Sequence, residues 1–481
     1  MHIICHRCKL RFLRKALKLH LKQIYHSRTS MSDDFSLFDL SEYSQSPKII
    51  EKTSGKARIN VPFRNQVEYI NFCLEDLIPS DHKARFVWDY VQKLDMSGFI
   101  AKIQSVEGNQ GRPAIDPRLL LSLWIYATIE GIGSGRVIET YCRDHNAFKW
   151  LCGNVSVNYH TITDFRSDNK LLLDDLLTQS VAIFLDHGLI KLEKIAQDGI
   201  RVRANAGSAS FRRKETLEDH YQLAKLYVQQ LIEEKETCPN EFRDRKKAAE
   251  LRSAKEKEVQ LKKALEQLEV LKKKQEDYSK RQRKKITEKQ KDQIRASSTD
   301  AEARKMKMAN GGFSPAYNAQ IATDTKSQVV VGLSVENTGS DIGQMSLMHK
   351  QIQERYENKE IEVKEWLVDG GYYDGNEIDK MKIINPDCTI YMPPKKSQDP
   401  KSYIPTNRDS EAVKEWRINM GTIEAKTTYK DRASTAECVN AAARNRGLQQ
   451  FPVRGIDKVT SVMLLFVITH NIVRAMNLFN C

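Results

Sequence analysis

Lys194-Ile195-Ala196-Gln197-Asp198-Gly199-Ile200-Arg201-Val202 reads as a strand with an aspartate at its centre. Asp is depleted from strands and costs free energy to bury unless a hydrogen-bond network or a cation compensates it. A second stretch, Glu365-Trp366-Leu367-Val368-Asp369-Gly370-Gly371, is a short apolar strand that ends on another aspartate. The two glycines let the chain turn sharply and approach a ligand, and ligands gather at that end of strands in open sheets. Between these segments, Ala319–Thr323 and Val329–Val335 are β-branched or alternating and predict two more strands. Helices are expected over Met345–Tyr356, Thr435–Arg446 and Val462–Phe479. Strands and helices in this order describe an α/β or α+β domain.

One block breaks the pattern. Over 212–295 Lys, Arg, Glu and Gln dominate, and Leu261, Leu265, Leu268 and Leu271 are spaced to keep one apolar stripe on a helix. Pro239 predicts a break, hence two long helices forming a hairpin or coiled coil. A solvated charged helix without a partner fits the same composition.

Upstream, residues 60–170 predict successive short helices. Asp116 before Pro117 is a helix start, followed by the run Leu119–Tyr126 and closed by Gly131 to Gly135. Basic residues between the helices suit a DNA-binding head, although a helical scaffold would show the same pattern. The expected organisation is therefore a basic extension and acidic, Ser-rich linker over 1–58, a helical DNA-binding domain over 59–185, and an α/β domain over 186–481 interrupted by the charged block at about 212–295. In the extension, Cys5, Cys8, His20 and His26 imitate a zinc-finger ligand set. Eleven residues separate the pairs, against the usual twelve or so, which makes Zn²⁺ a secondary reading.

Among the 481 residues, 77 Lys and Arg against 63 Asp and Glu give a net charge of +14. Such an excess favours a polyanionic partner, because each neutralised phosphate releases condensed counterions. Nine scattered cysteines with no secretory leader argue against a disulfide framework and for a reducing compartment, so a cytoplasmic, nucleoid-associated location is expected. No membrane association is expected. Leu119–Ile132 is shorter than the roughly 20 residues of a span, and Val462–Phe479 carries His470, Asn471 and Arg474 in its interior.

Carboxylates on separate elements, Asp198, Asp369 and a helical Glu437, suit a hard divalent cation such as Mg²⁺. A pair of such ions about 4 Å apart activates an attacking oxygen and stabilises the leaving one in phosphodiester chemistry. Taken singly, each acid also fits a turn, a cap or a helix surface.

Several ordered blocks resemble insertion-sequence transposases of the IS1182 group, within the broad IS4-type DDE class. They are Ala196-Gln197-Asp198-Gly199, the run Thr299–Phe313, Pro315–Gln320 with Thr323-Asp324, Leu367–Tyr372, and Tyr429-Lys430-Asp431-Arg432 followed by Glu437 and Arg444. The last is similar to that class's Tyr-x2-Arg…Glu-x6-Lys signature. It departs from it in having four residues between Arg432 and Glu437 where three are usual, and in having Arg444 for Lys.

The resemblance covers roughly 60–475. It implies a ribonuclease-H-like catalytic fold interrupted by the helical insertion and preceded by an all-α DNA-binding domain. It further implies that Asp198, Asp369 and Glu437 hold two Mg²⁺, with Mn²⁺ able to substitute, and that Tyr429, Arg432 and Arg444 orient the terminal phosphates. The partners implied are double-stranded DNA, at transposon ends and target, and a second copy of the chain. Other readings are a catalytically silent, domesticated DNA-binding derivative, a plain metal-dependent nuclease, and a coiled-coil scaffold. The scaffold leaves the strands and Gly-rich turns unexplained.

Overall fold

The strand around Asp198 is the spine of a six-stranded sheet. In the computed structural model, which describes residues 73–106, 112–238, 245–281, 287, 293–359 and 361–478, strand β1 covers Lys194–Arg203. The basic extension with Cys5, Cys8, His20 and His26, and the linker after it, lie outside the described residues.

The Gly- and turn-bounded runs expected downstream form one long hairpin. The chain makes a two-residue β2, Phe211–Arg212, and β3, Ala296–Ser297, then a short β4, Arg304–Lys307. Strand β5, Phe313–Asp324, then runs antiparallel to β1 from Ile195↔Asp324 to Arg203↔Ala316. On its other edge β5 pairs antiparallel with β4 and with β6, Val330–Glu336. Across β1, strand β7, Glu365–Leu367, lies parallel with Ala196 opposite Leu367, and β8, Thr389–Tyr391, lies parallel to β7. The order β6-β5-β1-β7-β8 thus combines an antiparallel meander with two parallel strands. Because Ala196 faces Leu367, continuing two residues along each strand sets Asp198 beside Asp369.

The described part of 83–186 is helical: α1 (Lys83–Gln92), α2 (Pro117–Ile129), α3 (Gly135–Asp144), α4 (Asn146–Cys152), α5 (Tyr159–Ser167) and α6 (Lys170–Asp186). As the sequence predicts, Asp116 caps α2 by accepting from the Arg118 N–H at 2.8 Å, and Gly131, at φ +73°, lets the chain leave its end. The charged block forms α7 (Lys214–Thr237) and α8 (Arg245–Arg281), an antiparallel helix pair. Val228 and Leu231 meet Leu251 and Ala254, while Leu217 and Ala224 meet Leu261, Ala264 and Leu268. Of the expected leucine stripe, Leu261 and Leu268 are buried and Leu265 and Leu271 half-buried. The β2–β3 ribbon, with Arg212 opposite Ala296, closes the base of this pair.

After the sheet come α9 (Gln344–Arg355), α10 (Gly375–Ile384), α11 (Glu411–Gly421), α12 (Ile423–Thr428), α13 (Lys430–Asn445) and α14 (Ile456–Leu478). Helix α14 is long and apolar enough to cross a membrane by length and composition, yet most of its apolar window is buried in the protein. It packs against α2, α5, α6 and β6, so one hydrophobic core is continuous from the helical head to the sheet.

His470, Asn471 and Arg474, within that apolar run, all serve the β5–β6 hairpin. The His470 Nε2 lies 2.9 Å from the Gln328 carbonyl, and Arg474 Nε donates to the Ser327 carbonyl at 2.9 Å. Asn471, fully buried, accepts from the Val330 N–H at 2.8 Å and donates to the Val330 carbonyl at 2.7 Å, as a neighbouring strand would.

Removing the Asn471 amide leaves both groups of Val330 buried and unpaired, at about 1–3 kcal/mol each. Asn471→Leu should therefore lower unfolding stability by roughly 2–4 kcal/mol in urea denaturation. A change under about 0.5 kcal/mol would be that of an ordinary surface substitution and would remove this role.

Candidate functional site

Asp198 is four-fifths buried on β1 and needs partners. Both come from α13, which packs across the strand. Arg432 Nη2 donates to Asp198 Oδ1 at 2.9 Å, and Asn440 Nδ2 donates to Oδ2 at 2.9 Å. The same Arg432 nitrogen stands 3.7 Å from Asp369 Oδ2. Two carboxylates from adjacent parallel strands therefore converge on one positive charge. Burial raises the Asp198 pKa above its ordinary value, and Asp369 adds to the rise, against the lowering effects of Arg432, the Gly199 N–H and Asn440. Burial opposes the Arg432 charge, yet Asp198, Tyr429 and Asp369 hold its pKa above the usual value. Its Nε has no hydrogen-bond partner among the described residues.

Tyr429, immediately before α13, is half-buried and close enough to feel Arg432, Asp369 and Asp198, with its hydroxyl pKa raised chiefly by burial. Three expected site residues, Asp198, Asp369 and Arg432, thus meet directly, with Tyr429 beside them. Glu437 and Arg444 do not join them. Both lie on the exposed face of α13, seven residues apart, while Ala436, Val439 and Ala443 turn inward. Asn440, three residues after Glu437, turns instead to Asp198. Glu437 makes no hydrogen bond or ion pair with the pair. Among the described residues no group of three or more His, Cys, Asp or Glu stands close enough to share a metal ion.

Behind the pair is a polar network that the sequence reading did not find. Asp341, in the loop before α9, accepts from Asn318 Nδ2 at 2.7 Å and Gln320 Nε2 at 2.8 Å, and faces Arg201 Nη2 at 3.5 Å. Gln320 also accepts from the Tyr372 hydroxyl and from Gln197 Nε2, and the Gln197 oxygen accepts from Trp366 Nε1 at 3.2 Å. Gly199 leaves room for this network: a Cβ there would come within 2.6–2.8 Å of the side-chain ends of Gln320, Asp341 and Asn318 and displace them. Because Tyr372 follows Asp369-Gly370-Gly371, the network fixes the turn that presents Asp369, whose own Oδ1 accepts from the Gly371 N–H at 2.7 Å. The alternation Asn318-Ala319-Gln320 put two amides on one strand face, and that was the available signal.

The donor set fits a hard cation in part. Asp198 and Asp369 offer oxygens within 4 Å of one positive nitrogen, and oxygen donors suit Mg²⁺. The third carboxylate is not assembled.

Two family models match the chain. A transposase domain (DUF772) matches residues 72–168, which hold the head helices up to α5. A transposase DDE domain matches residues 385–476, which hold Tyr429, Arg432, Glu437, Asn440 and Arg444. Asp198 and Asp369 lie outside both matched segments. No curated protein and no solved structure gives a significant match. The two matches support a DDE-type transposase.

Arg432→Gln leaves Asp198 and Asp369 facing each other without a counter-charge. We expect a loss of about 2 kcal/mol at pH 7.5, less than for a wholly buried pair because both side chains are partly solvated. Protonating Asp198 relieves the repulsion, so the deficit relative to the parent should shrink as pH falls towards its raised pKa. Urea titrations at pH 7.5 and 4.5 measure this, and an equal deficit at both would mean Arg432 does not act through Asp198.

Proposed function

We propose that this protein is the transposase of an insertion sequence, of the IS1182 group in the IS4-type DDE class, which binds terminal inverted repeats, cleaves DNA at the element ends and joins the freed 3′-hydroxyls to target DNA. One observation carries the reading: Asp198 and Asp369 project from neighbouring parallel strands to the same guanidinium, on a helix inside the segment matched to a transposase DDE domain. The sheet order, an antiparallel three-strand meander followed by two parallel strands, supports a ribonuclease-H-like catalytic fold. The helical segment matched to a transposase domain is the natural reader of the repeat DNA, and the +14 charge suits a polyanion.

Asp198 and Asp369 would hold divalent metal, Mg²⁺ with Mn²⁺ as substitute, and Glu437 is assigned as the third ligand on its motif alone. A bound pair of ions supplies Lewis-acid stabilisation of the phosphodiester oxygens and a deprotonated nucleophile. The chain's residues position the reaction. Asn440 holds the Asp198 carboxylate in orientation, the Tyr372–Gln320 network holds the Asp369 turn, and Arg432, Tyr429 and Arg444 contact terminal phosphates. Arg432 is suited to this because its spare N–H can turn to phosphate once the carboxylates are otherwise neutralised. The protein acts in the cytoplasm on nucleoid DNA, as a homodimer. The unassembled third carboxylate favours one second reading, a catalytically silent DNA-binding derivative.

Purified protein with Mg²⁺ and terminal-repeat DNA separates these readings. The parent should cleave and join. Asp369→Asn and Glu437→Gln should each lose about a hundredfold or more in rate, equivalent to roughly 2.7 kcal/mol of transition-state stabilisation. Equal cutting by Asp369→Asn removes the site. No cutting by the parent, with repeat binding intact, selects the silent derivative.

The α7–α8 pair is assigned to contact DNA or the second copy. Arg212 sits opposite Ala296, so replacing Arg213–Arg295 by a short Asn-Gly turn closes the base as a hairpin. The shortened protein should fold but fail to assemble a dimer on end DNA in analytical ultracentrifugation. Intact specific binding and dimer assembly would dismiss this role.

A further inference from the structure

Where the turn after α2 and the start of α5 meet the chain following α13 and the middle of α14 there is a cavity of about 540 Å³. That size falls in the range of about 300–1,000 Å³ usual for small-molecule sites. Its apolar wall includes Trp124, Ile132, Leu465 and Phe466, and its polar wall is cationic: Arg136, Arg166 and Arg446 line it, and no acidic residue does.

Arg166 is 5% exposed. Its Nη1 donates to the Gly133 carbonyl at 2.9 Å and its guanidinium stacks 4.1 Å from the Trp124 ring centre, but its Nε has no hydrogen-bond partner among the described residues. The buried Nη1 of Arg446, over the Phe466 ring, is likewise unpartnered. Burial lowers the pKa of both guanidiniums, Arg166 to about 10.

Three other part-buried arginines have carboxylates, while Arg304 is held by the Ala301 and Ala303 carbonyls and the Gln267 side chain. Arg355 pairs with Asp174 at 2.7 Å, Arg417 with Asp409 at 2.9 Å and Arg432 with Asp198. Aromatic faces offset only part of the cost of desolvating a cation. Two guanidiniums line one cavity that no carboxylate lines, and their planar forks match the tetrahedral oxygens of an oxyanion. The ten-residue helix α3 also opens on the cavity through Ser134 and Gly135, with no side-chain cap and no acidic residue in its first turn, so its positive end adds to the field.

We propose that this cavity is a phosphate-binding site, separate from the carboxylate pair, in which Arg166 and Arg446 grip the phosphate oxygens. The phosphate can belong to a free mononucleotide or to a DNA strand, and the recognition chemistry is shared. The proposal stands whether or not the chain is a transposase, because it uses none of the residues assigned to cleavage.

The test uses full-length protein in chloride buffer at constant ionic strength. Inorganic phosphate and deoxyadenosine monophosphate are titrated calorimetrically, and a 5′-phosphorylated duplex by fluorescence anisotropy. Arg166→Gln and Arg446→Gln are compared with Lys458→Gln, an equal charge change at an exposed position outside the cavity. Losing one charge-assisted pair should weaken binding about tenfold or more. Arg446, only half-buried, gives the variant expected to keep its fold, checked by circular dichroism.

Binding of phosphate and mononucleotide that weakens in Arg446→Gln but not in Lys458→Gln supports the site with a free ligand. Loss confined to the duplex supports it with a strand phosphate. Binding by none of the three probes, or equal affinities in folded Arg446→Gln and parent, overturns it.

Discussion

The burial of the Asp198 carboxylate within β1 is the constraint on which this structure turns. Within the strand the Asp198 carboxylate has only the neighbouring Gly199 N–H, so its other partners must come from another element. Helix α13 provides two, Arg432 and Asn440, and those bonds tie the helix to the strand. The same guanidinium reaches Asp369. One electrostatic requirement therefore joins three elements that are distant in sequence, and it creates the charged focus from which a function can be argued.

The second requirement is mechanical. Strands β5 and β6 form a hairpin whose turn and edge would leave buried backbone groups unpaired, and α14 meets them with His470, Asn471 and Arg474. Those residues look out of place in an apolar helix until the sheet edge is seen. By packing on α2, α5 and α6 with its other faces, α14 carries the same core into the helical head. The segments matched to the two transposase domains thus share one interior, and the arginine-lined cavity opens where they meet.

Charge is distributed unevenly between two regions. Around Asp198 and Asp369, two carboxylates share the single guanidinium of Arg432. Around Arg166 and Arg446 the excess is positive and the walls hold no acid, the opposite arrangement. The charged helix pair α7–α8 joins the rest through its two-strand ribbon and an Arg304–Gln267 hydrogen bond to β4, and it contributes no strand to the six-stranded sheet.

Much of this was legible in the sequence because it depends on local rules. Strand-like or apolar runs made β1 and β7 legible, β-branched or alternating runs made β5 and β6 so, the Asp116-Pro117 start marked α2, and the leucine stripe at 261–271 with the break expected at Pro239 pointed to two helices. The aspartates were visible as anomalies, acids in or at the end of apolar strands. Tertiary structure alone decided which side chains meet. One helical turn separates Arg432 from Ala436, and small rotations about a helix axis decide whether Glu437 or Asn440 faces β1. Sequence spacing does not fix that rotation, because it follows from how Ala436, Val439 and Ala443 pack beneath the helix. Asp341, Tyr372 and the paired amides of Asn318 and Gln320 stayed hidden for the same reason: hydrogen bonds over long sequence separations exist only once the sheet has set its register.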